Sequence, residues 1–208
     1  MKNNNPIYPY KSLFITGLPG IGTTTLAMNI VKKFLDSGKK CLIFQNTDCF
    51  FTDYIERIKC IEENADMNFD KPCFQKHGNL VVSQHYLFNL ECVMMAVDEY
   101  KADVIVYEEP NSFWNKRKEL KKLAKELEKQ GKIFIFVTRI KRGKYLKKSK
   151  LSNSRHHTAI RHFDAAVMIY RMYLEEDVEE LRIYEKKTKK RFTVPVHFDF
   201  PKQRITLK

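Results

Sequence analysis

The residues best equipped for chemistry are Gly17-Leu18-Pro19-Gly20-Ile21-Gly22-Thr23-Thr24. They follow the apolar run Leu13-Phe14-Ile15 and precede the helically spaced Leu26–Leu35. Between a strand and a helix, closely spaced glycines let backbone N–H groups wrap around a phosphate, and the helix points its positive end at the same anion. The residues assigned to such a cradle are Gly17, Gly20, Ile21, Gly22, Thr23, Thr24 and Thr25. Thr24 stands where the hydroxyl that meets a magnesium ion belongs, whereas Thr23 stands where the pattern G-x-x-x-x-G-K-[ST] has its lysine. Loss of such a preorganised charge costs ~10²–10³ in rate. The backbone half of a phosphate site is present and its cationic half is missing. The plain alternative is a glycine-rich turn that binds nothing.

A second set of chemistry-bearing residues is cationic. Arg139, Lys141, Arg142, Lys144, Lys147, Lys148 and Lys150 follow one another without an intervening acid, and Lys186, Lys187, Lys189, Lys190 and Arg191 form another cluster. With a formal charge of +13, the chain is suited to a polyanionic partner. Nucleic acid ranks ahead of an anionic membrane because no amphipathic basic helix stands out. Tyr145, and His156 with His157, are the side chains there able to stack on bases. A solvated, solubilising surface is the ordinary reading of such runs.

Other chemistries have little support. The five cysteines, Cys41, Cys49, Cys60, Cys73 and Cys92, are odd in number and contain no C-x-x-C pair, which fits a reducing cytoplasm and argues against a disulfide framework or a structural zinc site. His77, His85, His156, His157 and His162 show no ligand spacing. The N-terminus lacks an apolar signal core, and no run of about 18 apolar residues predicts a membrane span.

The elements that position these residues read as one α/β domain over 1–208. Apolar runs predict strands at Leu13–Ile15, Cys41–Phe44, Leu80–Val82, Val104–Tyr107 and Ile133–Val137. Helices are expected after the glycine loop, around Tyr54, Ile58 and Ile61, from Leu87 to Tyr100 and around Leu120–Leu127. Gly38 and Gly131 serve as stop signals. Met94 and Met95 are expected to face the core, and 64–77 to form a loop. Trp114 is expected to anchor the turn after Val104–Tyr107 or to sit at an interface. Arg139–Arg155 is too long and aperiodic for a tight connector. Strands at Ala165–Tyr170, Leu181–Tyr184, Phe192–Phe198 and Ile205–Leu207, with no helices between them, predict closing antiparallel hairpins.

Leu13 through Gly17, Thr24 through Ile30, and Phe163-Asp164-Ala165-Ala166-Val167-Met168-Ile169-Tyr170-Arg171 resemble, in the same order, segments of the ATPase domain of DnaB-type replicative helicases. The resemblance runs from about Leu13 to the end and implies a RecA-like P-loop fold, with a mainly parallel sheet flanked by helices and C-terminal antiparallel hairpins. It implies ATP with magnesium on Thr24, single-stranded DNA in the Arg139–His157 loop, and assembly as a homo-oligomer or with a replicative hexamer. The family's N-terminal primase-interaction domain has no counterpart.

At the catalytic points this chain departs from the family. The family's catalytic glutamate falls near Thr47, with Asp48 one step on as a shorter substitute. Its metal-side acid falls at Tyr107, or at Glu108 if the strand end shifts by one. Its γ-phosphate-sensing glutamine falls at Arg139, and its trans-acting cations match Lys186, Lys187 and Lys189 only loosely. Phosphoryl transfer needs cations, a metal and an oriented water around one phosphate, so several departures together imply a degenerate ATPase that binds nucleotide or phosphate weakly. Three readings compete: a nucleic-acid-binding module with little hydrolysis, an active P-loop helicase or phosphotransferase, and a non-enzymatic assembly partner.

Overall fold

The computed structural model describes residues 10–18, 20–45, 58, 74–84, 90–109, 117–140, 157–172, 178–199 and 202–208. Its strands are β1 (Ser12–Gly17), β2 (Cys41–Gln45), β3 (Phe74–His77), β4 (Leu80–Gln84), β5 (Val104–Glu108), β6 (Ile133–Arg139), β7 (Ala165–Met172), β8 (Val178–Glu185), β9 (Arg191–Asp199) and β10 (Arg204–Leu207). They form one sheet in the order β10-β9-β8-β7-β1-β6-β5-β2-β4-β3. The stretch from β7 to β4 is parallel, with antiparallel β3 at one edge and the antiparallel β8–β10 meander at the other.

Alternation along the central strands sorts their side chains into two cores. Leu13 and Ile15 of β1, Ile43 of β2, Val104 and Val106 of β5, and Ile135 and Val137 of β6 pack with Leu26, Met28, Val31 and Phe34 of α1 (Thr23–Asp36). Phe14, Leu42, Ile105, Tyr107, Phe134 and Phe136 point the other way. They meet Val93 and Val97 of α2 (Leu90–Tyr100) and Leu120, Leu123 and Leu127 of α3 (Arg117–Lys129). A sheet covered on both faces selects the continuous apolar runs seen in the sequence, and each fully buried large side chain contributes about 1.5–3 kcal/mol. On the second face Phe14 meets Phe136 and Phe163 at centroid distances of 5.6 and 5.5 Å.

Two expectations are corrected. Residues 74–77, expected within a loop, form β3, which pairs antiparallel with β4 through a turn in which Gly78 adopts φ +56°. An edge strand needs only one pairing partner, so Phe-Gln-Lys-His carries no buried apolar run to betray it. Met95, expected to face the core, is 70% exposed. The buried set on α2 is Val93, Ala96 and Val97, which leaves Met95 on the solvent side of the turn, while Met94 is partly buried against the core. Leu87, Trp114 and the helix expected around Tyr54 and Ile61 lie outside the described residues, where Ile58 alone is described as helical and fully buried.

The strand directions divide the connections between the two ends of the sheet. At the amino ends of the parallel strands the links are short: α1 reaches β2, α2 reaches β5 and α3 reaches β6 in three or four residues each. Gly38 and Gly131 close two of these turns at φ +78° and +69°. At the carboxyl ends lie the glycine loop and the points where the chain leaves β2, β4, β5 and β6 on its longest connections. In open α/β sheets that carboxyl edge is where ligands bind.

Candidate nucleotide site

The glycine loop leaves the carboxyl end of central β1. Gly17 must be glycine, because a Cβ there would lie 2.7 Å from Ile21 Cγ2 and 2.9 Å from Thr23 Cγ2. Gly20 turns at φ +77°, and Ile21 N–H donates to the Leu18 carbonyl at 3.2 Å. Gly22 is the N-cap of α1 in the left-handed conformation, φ 105° and ψ 22°, and no side chain caps the helix start. A helix entered through glycine presents its first-turn amides to whatever anion occupies the loop.

β5 delivers two adjacent carboxylates to the same end of the sheet, one on each face. Glu108, 6% exposed, continues the alternation of Val104 and Val106 toward α1, and Thr24 Oγ1 donates to its Oε1 at 3.0 Å. Glu109, 7% exposed, accepts a hydrogen bond from Thr138 Oγ1, and its backbone N–H donates to the Val137 carbonyl at 2.9 Å. Of the two candidates for the acidic strand end, Glu108 is therefore the one beside the loop hydroxyl. Tyr107 is 1% exposed in the opposite core, and burial, followed by the charge of Glu119, pushes its phenol pKa up.

Arg139, grouped in sequence with the basic loop, ends β6 directly beside the glycine loop. Its Cα pairs with that of Gly17, and the next residue, Ile140, donates its N–H to the Gly17 carbonyl at 2.9 Å. Lys141, Arg142, Lys144, Lys147, Lys148 and Lys150 lie outside the described residues, as do Thr47, Asp48, Tyr145 and His156. Lys186, Lys187 and Lys189 sit in the β8–β9 turn at the amino end of the sheet, where Lys186 N–H donates to the Asp164 carbonyl at 2.8 Å. The length of β1, roughly 17 Å at strand rise, separates that turn from the phosphate loop.

A contact unseen in the sequence ties the phosphate-loop helix to the chain end. Thr25 is 1% exposed and its hydroxyl donates to Gln203 Oε1 at 3.0 Å. Asn29 Nδ2 donates to the Gln203 carbonyl at 2.8 Å, and Asn29 Oδ1 accepts from Ile205 N–H at 3.2 Å. The side-chain amide thus pairs with the backbone on both sides of Arg204. β10, the last strand in the sheet order, is held against α1 in this way. The only signal in sequence is a polar residue one turn into an otherwise apolar helix face.

These residues fit a magnesium-bound phosphate at the uncapped amides, at Gly17 and at the Thr24–Glu108 pair, and depart from it at Thr23. Among the described residues no group of three or more His, Cys, Asp or Glu could hold a metal ion, and no helix is long and apolar enough to cross a membrane. No protein-family model matches the chain, and no curated protein sequence does. Solved structures match its fold. The ATPase domain of a DnaB-family protein superposes with a TM-score of 0.71 at 12% identity, covering 94% of this chain and 84% of its own. A KaiC-like protein, PH0186, from the hyperthermophilic archaeon Pyrococcus horikoshii OT3 gives a TM-score of 0.62 at 14% identity, covering 97% and 91%. The fold is that of RecA-like P-loop ATPases.

Proposed function

We propose that this chain is a degenerate RecA-fold protein that binds a nucleotide or polyphosphate weakly, hydrolyses ATP little if at all, and binds single-stranded nucleic acid in the service of DNA replication. The observation that carries the nucleotide half is the 3.0 Å contact between Thr24 and Glu108 beside a glycine loop whose helix start no side chain caps. Magnesium would be held by that hydroxyl and carboxylate, and would supply the neutralising charge that such sites place on phosphate oxygens. The fold of the two solved neighbours supports the same half. Thr23 supports weak binding, and Thr47 supports slow hydrolysis, because it leaves only the shorter Asp48 to orient a water.

The nucleic-acid half rests on charge. Seven cations between Arg139 and Lys150 occupy the connection that leaves β6 at the ligand-binding end of the sheet. Contacts from such residues to phosphates give sequence-independent, salt-dependent binding. Assembly as a homo-oligomer or on a replicative hexamer belongs to the same reading.

Calorimetry with ATP and magnesium, run beside a steady-state hydrolysis assay, tests the proposal. Weak binding with negligible turnover is expected, and Thr23→Lys alone should not create a fast enzyme. Robust magnesium-dependent hydrolysis, abolished by Thr24→Ala, would replace this reading with an active motor. Absence of both nucleotide and single-stranded DNA binding at low salt would leave a non-enzymatic assembly partner.

A further inference from the structure

We propose that Arg139 supplies, from the end of β6, the phosphate-facing positive charge that Thr23 does not supply from the loop. This inference rests on the phosphate-site reading above and adds to it the group that neutralises the anion.

Three observations carry it. The first is register: β1 and β6 are parallel neighbours, and Gly17, the residue from which the loop springs, is the Cα partner of Arg139. Adjacent strands lie about 4.8 Å apart, so the arginine starts one strand spacing from the loop. The second is the face. Ile135 and Val137 pack in the core with α1, whereas Phe134 and Phe136 pack in the core with α3. Thr138 bonds to Glu109 on the α3 side, so the alternation returns Arg139 to the α1 side, where the loop and Thr24 lie. The third is Gly17 itself, whose missing side chain is required by the loop and leaves no neighbour on β1 to block the next strand.

The chemistry is suited to the position. A guanidinium stays charged at any physiological pH and can give two parallel N–H donors to a phosphate, whereas a lysine acts as a point charge. Arg139 is half-buried, so its charge is screened less than those of the exposed lysines on α3. Glu108, buried on the same face, would otherwise set the sign of the field at the loop. With Arg139 the site holds one carboxylate for a metal and one cation for the anion. A lysine at position 23 would be redundant there.

The test is calorimetric binding of inorganic tripolyphosphate, with and without magnesium, at fixed salt. R139A should bind about tenfold or more weakly, in keeping with loss of a charge-assisted hydrogen bond, while R139K retains most of the affinity. K132A removes the same charge from the amino end of the same strand, and should bind as the wild type does. T23K placed in the R139A background should recover binding, because the positive charge is returned to the site from the other side. Melting temperature without ligand shows that each variant is folded. Should R139A not fold, R139Q, which keeps a long polar side chain, takes its place under the same criteria. Equal affinities for R139A and K132A would overturn the role given to Arg139. Failure of T23K to rescue a folded R139A would do the same. No binding of tripolyphosphate by the wild-type chain would remove the phosphate site itself, and Arg139's role with it.

Discussion

The two ends of the sheet are built for different purposes. At the amino end polar groups close on one another. The Asp164 carboxylate accepts from Lys11 N–H and Ser12 N–H at 3.1 and 3.0 Å, Ser12 Oγ accepts from Asp164 N–H at 2.9 Å, and Asp103 accepts from Lys40 N–H at 2.9 Å. At the carboxyl end the polar groups converge on a glycine loop: Glu108 from β5, Arg139 from β6 and Thr24 from α1. The same side-chain types that finish strands at one end are directed at the other toward backbone amides that no side chain caps. Burial alone does not separate the two uses of a carboxylate. What separates them is whether its partners are structural backbone or a loop shaped for an anion.

The largest expected effect follows from crossing the two ends. Thr24→Ala or Glu108→Ala should remove the magnesium-dependent part of nucleotide affinity, about 10–100-fold by the usual cost of disturbing a metal's surroundings, with the melting temperature unchanged or raised. Asp164→Ala should do the reverse, leaving binding intact while two strand-end amides lose their acceptor, at about 1–3 kcal/mol. Calorimetry and thermal melts on the three variants read both quantities. If Asp164→Ala weakened binding as much as Glu108→Ala, the division of labour between the ends would be wrong.

Much of this division could be read from the chain before its structure. The five strands expected in the first two thirds of the sequence are there because each is buried on both faces and so needs an unbroken apolar run. The glycine loop announces itself because only glycine tolerates positive φ at Gly20 and Gly22 and the close approach at Gly17. Three features escaped for definite reasons. Glu108 could have been preferred to Tyr107 by counting period two from Val104, which sends Tyr107 to the aromatic core and Glu108 to the helix that follows the loop. The nearness of Arg139 to Gly17 depends on the register between two parallel strands more than a hundred residues apart, which no local pattern encodes. The Asn29–Gln203 clamp joins residues separated by 174 positions, and its amide looks in sequence like any polar break in a helix face.

A smaller effect would sharpen the comparison on the nucleic-acid side. Lys144, Lys147 and Lys148 belong to the connection that leaves β6 at the carboxyl end, whereas Lys121, Lys122 and Lys125 are exposed on α3. Replacing the first three with alanine should lower single-stranded DNA affinity and reduce the salt slope by up to about 2, at roughly 0.7 per phosphate contact. Replacing the second three removes the same charge and should change either quantity far less. Equal losses, measured by fluorescence anisotropy across a salt series, would mean that net charge attracts DNA diffusely and that the carboxyl end has no special claim on it.

The smallest expected effect belongs to the amino end and concerns stability alone. His162, in the 3-10 helix His157–His162 that leads into β7, has its pKa lowered from 6.5, first by burial and then by Lys121, Arg161, Lys186 and Lys125. The folded chain therefore takes up this proton less readily than the unfolded chain does. As pH falls through about 6.5 the unfolded state protonates first, and stability must decline until the folded histidine is protonated too. The imidazole is partly exposed and its cationic neighbours are screened by salt, so the decline should be modest and larger at low ionic strength. His162→Gln should flatten that part of the melting-temperature profile between pH 7.5 and 5.5 while leaving the phosphate site's affinity at pH 7.5 untouched. A variant that melts with the same pH dependence as the parent would show that His162 is solvated alike in both states. A variant that changed affinity at pH 7.5 would connect the two ends of the sheet, which their separate hydrogen-bond networks do not.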